Sequence, residues 1–197
     1  MPPAPEVQLV WLSAALDALA AFLSSADAFR SLPDAPRAMR QDLSLGRLLL
    51  SLDALQAVRP DLSAPDRSRW DDLSARWERG RVSHRAAIEA KASAELPRRF
   101  GSWRAYLQEM AETPSEAEDY AGEVRHRVVI ERLIDVLGDR PPLLPALGRL
   151  DEVLRGWLEP APFLWDDSLR RLYPQPRFWY LCGRPTRALI LANPAKV

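Results

Sequence analysis

VQLVWLSAALDALAAFLSSADA, residues 7–28, is the stretch whose reading decides the fold class, because an export signal, a membrane span and a buried helix all begin with such a run. As an export signal it lacks the basic leading region: Glu6 precedes it and Asp17 sits inside it. As a membrane span it is broken by Gln8, Asp17 and several serines, and its uninterrupted apolar pieces fall short of the roughly 20 residues that cross a bilayer. A buried helix remains. Leu9, Leu12, Leu16, Leu19 and Leu23 recur at spacings of three and four, which sets them along one side of a helix. Val7, Val10, Trp11, Ala14, Ala18 and Phe22 widen that surface, so the helix is expected to be covered on more than one side, at the centre of a bundle or at an oligomer interface.

The same helical texture extends outward. SLPDAPR (31–37) breaks the first helix, and Met39, Leu43, Leu45, Leu48, Leu52 and Leu55 predict a second that ends near Val58, before Pro60. A third helix is predicted from about Asp66 to Leu96, with Trp70, Leu73 and Trp77 on one side and Gly80 as an interruption; His84, Ile88, Lys91 and Glu95 continue that side. Beyond Pro97, the series Phe100, Trp103, Leu107 and Met110 predicts a fourth helix. Thr113, Pro114 and Glu116 have the order of an N-cap, a first-turn proline and a capping-box acid for a fifth, which Gly138 should end before a DRPP turn. Leu147, Leu150, Val153, Leu154 and Trp157 predict a shorter sixth helix over about 143–158.

After residue 158 the texture changes. EPAPFLWDDSLRRLYPQPRFWYLCGRPTRALILANP (159–194) is rich in proline and aromatic residues, too irregular for a long helix and too apolar for a disordered tail. RFWYLC and RALIL, flanking GRPT, read as the strands of a C-terminal β-hairpin that leans on the helices. The expected fold is therefore mainly α: an antiparallel bundle of about five or six helices over residues 1–158, with the aromatic segment 159–197 packed on it as part of one domain.

Composition narrows the function classes. The 197 residues carry 27 basic and 27 acidic side chains, so no global field draws the chain to nucleic acid or to an anionic membrane. Lys91 and Lys196 are the only lysines; arginine dominance with abundant Ala, Leu and Pro is the bias of a GC-rich bacterial genome. The single cysteine, Cys182, forms no intramolecular disulfide, which fits a cytoplasmic location. There is no Gly-rich phosphate loop, no G-x-S-x-G elbow, no H-E-x-x-H and no CxxC, so the sequence names no catalytic residue.

Three constellations remain. Phe178, Trp179, Tyr180 and Arg184 combine aromatic area with arginine, the residue types that anchor protein interfaces; in an extended strand Trp179 would face opposite to Phe178 and Tyr180 and differ from them in burial. This favours a non-enzymatic interaction or regulatory module that binds a protein partner or self-associates. Glu123 and His126 form one Glu-x-x-His element of the kind used in ferritin-like carboxylate bundles. With His84 and a glutamate of the third helix they would make a mixed N/O site for iron, manganese or zinc. The bland reading is an ordinary helix face whose histidine is hydrogen-bonded in the core. Arg76, Arg79, Arg81, Arg85, Arg98, Arg99, Trp103 and Arg104 would contact phosphates and stack on a base, although Asp71, Asp72, Glu78, Glu89 and Glu95 lie among them and suit a salt-bridged surface equally well.

Overall fold

Pro5 opens the first helix, α1 (Pro5–Asp17), where a missing N–H costs nothing. The computed structural model describes residues 4–37, 39, 42–138 and 141–193, and it is mainly α. Among the described residues there are nine α-helices and two two-stranded antiparallel sheets. The chain divides into two compact units, Met1–Glu95 and Leu96–Val197.

In the first unit α1 is followed by α2 (Leu19–Ser24), β1 (Arg30–Ser31), β2 (Asp42–Leu43), α3 (Leu45–Val58) and α4 (Ala64–Ser83). Leu9, Leu12, Leu16 and Leu19 are buried as their spacing predicts, with Trp11 and Phe22 beside them, because α1 packs on both α3 and α4. The seam is thus used inside this unit. The end of α1 is closed by Arg76 of α4, which donates to the Leu16 carbonyl at 2.9 Å and pairs with Asp17 at 2.7 Å. The second helix begins later than Met39, since Asp42 and Leu43 pair with Ser31 and Arg30 and Ser44 then caps α3 by accepting from Arg47 N.

The helix break falls at His84, whose φ of −119° leaves the helical region, rather than at Gly80. Gly80 lies inside α4, where an added Cβ would stand 3.4 Å from Leu19 Cδ2. From Arg85 a single helix, α5 (Arg85–Glu112), runs through Pro97 instead of stopping before it. Pro97 leaves the Ser93 carbonyl without its helical donor, but both residues are exposed and water can take that place.

The second unit contains the remainder of α5, a 3-10 turn (Pro114–Asp119), α6 (Tyr120–Glu123), α7 (Arg125–Leu137), α8 (Leu144–Trp157), β3 (Leu158–Pro160), β4 (Gly183–Pro185) and α9 (Arg187–Ala192). Thr113 makes no side-chain cap, and its segment winds as a 3-10 turn before α6. Gly138 ends α7 with φ of 68°, a left-handed conformation that glycine adopts without a Cβ penalty. The turn expected over 139–142 lies partly outside the described residues.

The C-terminal strands are not where the sequence predicts them. RFWYLC folds as 3-10 turns, with Leu181 N donating to the Phe178 carbonyl and Cys182 N to that of Trp179. RALILA is helical, capped by Thr186, whose hydroxyl accepts from Leu189 N. The connecting GRP is itself the strand, pairing antiparallel with LEP so that Leu158 faces Pro185, Glu159 faces Arg184 and Pro160 faces Gly183. Gly183 permits that approach, since a Cβ there would lie 3.1 Å from Leu158 Cδ1 and 3.2 Å from the Glu159 carbonyl oxygen.

Candidate functional site

Tight turning of residues 174–182, rather than strand alternation, decides which aromatic side chains of the C-terminal segment face outward. Phe178 and Tyr180 are buried, while Trp179 is half-buried, so the expected difference in burial holds on a different backbone. Phe178 contacts Tyr173 and Tyr180 edge-on at centroid distances of 4.9 and 6.1 Å, and Tyr173 meets Trp165 at 5.6 Å. Two tethers fasten this aromatic group to α6: the Tyr120 hydroxyl donates to the Tyr180 carbonyl at 2.8 Å, and Trp165 Nε1 donates to the Ala121 carbonyl at 2.9 Å.

Charge fastens it to α7 and α8. Arg127 is buried under the Tyr180 ring, 4.7 Å from its centroid. It grips Asp151 with both Nε and Nη2, at 2.9 and 2.8 Å, and reaches Glu131 with Nη1 at 2.7 Å. Burial works against the Arg127 charge, but hydrogen bonds and charge from Asp151 and Glu131 prevail and raise its pKa, so it stays charged. Arg177, from the C-terminal segment, donates to the other oxygen of Glu131 at 2.8 Å and also pairs with Asp135. Burial alone would raise the Glu131 carboxyl; the two guanidinium groups outweigh it and hold that carboxyl below its ordinary range.

On the outer side, Arg155 of α8 lies over the Trp179 ring at 4.2 Å, and Gln175 and Pro176 complete a shallow cleft of about 570 Å3. Arg184 is exposed on β4 and lines a second, deeper cavity of about 410 Å3. Of the predicted interface residues, then, Trp179 and Arg184 face solvent, whereas Phe178 and Tyr180 hold the segment in place.

The metal reading finds no third ligand. Glu123 ends α6 and His126 lies in the first turn of α7, with His126 Nε2 3.5 Å from a Glu123 oxygen. Arg125 stands 3.8 Å from the other oxygen, so the carboxylate already has cationic company. His84 sits at the α4–α5 break and is exposed, because the irregular backbone there takes it off the buried side of Trp70, Leu73 and Trp77. Among the described residues no three His, Cys, Asp or Glu side chains are grouped to hold a metal ion.

The arginine-rich reading loses its stacking ring. Trp103 is fully buried and packs against Tyr106 and Tyr120, at 5.9 and 6.4 Å between centroids. Arg76 pairs with Asp17, Arg81 with Glu78 and Arg85 with Glu89, each at 2.7 Å. Arg79, Arg98 and Arg104 are exposed and Arg99 is half-buried. Acid–base pairing of the kind the interleaved charges foreshadowed accounts for three of the four arginines of the expected stripe that lie in the first unit, and burial removes Trp103 as a ring to stack on a base.

Several consequential residues were absent from the candidate set. Arg127 and Glu131 carried a signal, an i,i+4 pair on an amphipathic helix, but Asp151 is 24 residues away from Arg127 and reaches it only through the packing of α7 and α8. Arg187 was hidden by the strand reading of RALIL. Among the described residues no helix is long and apolar enough to cross a membrane. No protein-family model matches the chain, and neither a curated protein nor a solved structure is significantly similar to it.

Proposed function

We propose that this chain is a non-enzymatic interaction module that binds a protein partner through the outer face of its C-terminal segment, and that it works in the cytoplasm. The observation that carries this reading is Trp179: a half-buried indole stacked under Arg155 beside exposed Gln175 and Pro176, on a segment that buried Phe178, Tyr180 and Arg127 hold rigidly from within. A preorganised aromatic–arginine pair on a fixed support loses little side-chain entropy when it is covered, which is what an interface anchor needs. Self-association through the same face is the second form the reading allows.

The test is capture of partners on immobilised full-length chain, identification by mass spectrometry, and rebinding of the purified partner, with light scattering on the chain alone. W179A and R155A should each weaken the reconstituted complex or the dimer by about tenfold or more, the scale of an interface anchor. A monomer that rebinds nothing, or a complex indifferent to both substitutions, would sink the reading.

A further inference from the structure

We infer that the cavity of about 410 Å3 walled by the Pro114–Asp119 turn, Leu164 and the Arg184–Arg187 stretch receives an acidic side chain of a partner peptide. This rests on the interaction reading above and gives the partner a chemistry. Arg184 and Arg187 both line the cavity, and neither forms an ion pair with a described residue. Other exposed arginines, such as Arg79 and Arg104, also lack an acidic partner among the described residues, but Arg184 and Arg187 are the two that line this cavity together. Arg187 also occupies the first turn of α9, where an acidic side chain would suit the helix better, so its placement does not serve the helix.

Both guanidinium groups sit on fixed backbone. Arg184 belongs to β4, which lies so near β3 that a Cβ at Gly183 would stand 3.1–3.2 Å from Leu158 and the Glu159 carbonyl oxygen, and Thr186 between the two arginines donates its N–H to the Trp157 carbonyl at 3.1 Å. Guanidinium groups lining one cavity suit a carboxylate, which accepts from them in charge-assisted bonds. The rest of the wall argues for a peptide rather than a nucleic acid. The two lining arginines exceed the one lining carboxylate, Glu118, by a single charge, which suits one bound carboxylate, whereas a run of phosphates would also meet Glu159, which faces Arg184 across the strand pair. Pro114, Leu164 and Pro185 offer apolar surface to the side chain next to the bound acid. A cavity of this size lies within the range that recognises small groups.

The experiment uses full-length chain on an array of immobilised peptides that alternate leucine with glutamate, beside counterparts with glutamine replacing glutamate, and on oligothymidylate. The expected result is binding to the glutamate peptides that weakens by about tenfold in the glutamine counterparts and by about tenfold in R184Q/R187Q, with Arg104→Gln unchanged. Hydrogen exchange on the wild-type chain should show peptide protection at the Pro114–Ala121 segment, which keeps the test valid if the double variant misfolds. Equal binding of glutamine peptides or by a folded double variant would overturn the carboxylate site while partner capture through Trp179 still stood. Binding to no peptide, protection only elsewhere, or tighter retention of oligothymidylate would overturn it as well.

Discussion

Lys91 and Glu95 lie one turn apart on α5, and each closes the end of a different segment of the first unit. Lys91 Nζ donates to the Ser25 and Asp27 carbonyls, both at 2.6 Å, just beyond the C-terminus of α2, and stands 4.5 Å from the Phe22 ring centroid. Glu95 accepts from the Ser44 hydroxyl at 2.8 Å and from Gly46 N at 2.9 Å, at the N-terminus of α3. A cation meets carbonyls just past a helix C-terminus, and an anion meets a hydroxyl and an amide at a helix N-terminus, each the sign of charge that such an end favours. Both side chains are buried, at 4% and 0% exposure, so water cannot replace either one.

Removing either group should therefore cost more than a surface charge. Glu95→Ala is expected to destabilise by about 2–3 kcal/mol and Lys91→Met by about 1–3 kcal/mol, because each leaves buried polar groups unpaired. Glu95→Gln, which keeps one acceptor, should fall between wild type and Glu95→Ala. Urea denaturation of the three variants would check this. A loss for Glu95→Ala no larger than that of an exposed control such as Glu78→Ala would show that the buried cap contributes nothing.

Acid should loosen the attachment of the C-terminal segment at Glu131. The carboxyl is held below its ordinary value of 4.5 by Arg127 and Arg177 against the opposing effect of burial. A depressed carboxyl contributes stability that is fully present above its unfolded value and is lost as pH falls through the folded one. Denaturation midpoints followed by tryptophan fluorescence should thus be flat with respect to this group near neutrality and decline below about pH 4.5. Glu131→Gln should be less stable at neutral pH and show a shallower acid decline. Parallel declines in the variant and wild type would assign the acid sensitivity to other groups.

How far the sequence could be read depends on which forces set each element. The leucine seam of α1, the Gly138 stop and the α8 face are local patterns, and they survive in the fold because periodicity and a single left-handed residue suffice to specify them. The C-terminal segment was misread for a physical reason: aromatic runs suit a strand and a 3-10 turn equally when the rings only need to reach a core, so β-propensity carried no information there. Thr186 followed by Leu189 was a legible cap signal for α9. The site was less legible still. Trp179 and Arg184 were visible as residue types, but Arg155 reaches Trp179 only through packing, as Asp151 does Arg127, and Arg187, three residues after Arg184, was hidden by the strand-like texture of RALIL.

Glycine substitutions separate a packed strand from an open helix. Gly183→Ala would press a Cβ against Leu158 and the Glu159 backbone, and the backbone oxygen cannot rotate away; a loss of about 1–3 kcal/mol is expected, with altered Arg184 placement. Gly101 lies within α5 with nothing within 4 Å of its added Cβ, so Gly101→Ala should stabilise by about 0.5–1 kcal/mol through helix propensity. Thermal denaturation of both variants checks the contrast, and a neutral Gly183→Ala would mean that the β3–β4 pair yields easily.

Trp103 and Trp157 form a matched pair for the value of an indole hydrogen bond. Both are fully buried in the second unit. Trp157 Nε1 donates to the Asn193 carbonyl at 2.9 Å, whereas Trp103 Nε1 has no hydrogen-bond partner among the described residues. Replacing either with phenylalanine removes similar volume, but Trp157→Phe also gives up the hydrogen bond to the Asn193 carbonyl, whereas Trp103→Phe removes a donor that burial had already penalised. Trp157→Phe is therefore expected to cost about 1 kcal/mol more than Trp103→Phe in chemical denaturation. Equal losses would indicate that Trp103 Nε1 is satisfied in solution, by a buried water within the Tyr106–Tyr120 aromatic group, and a buried-water signal in a crystal or by magnetic relaxation would then be sought there.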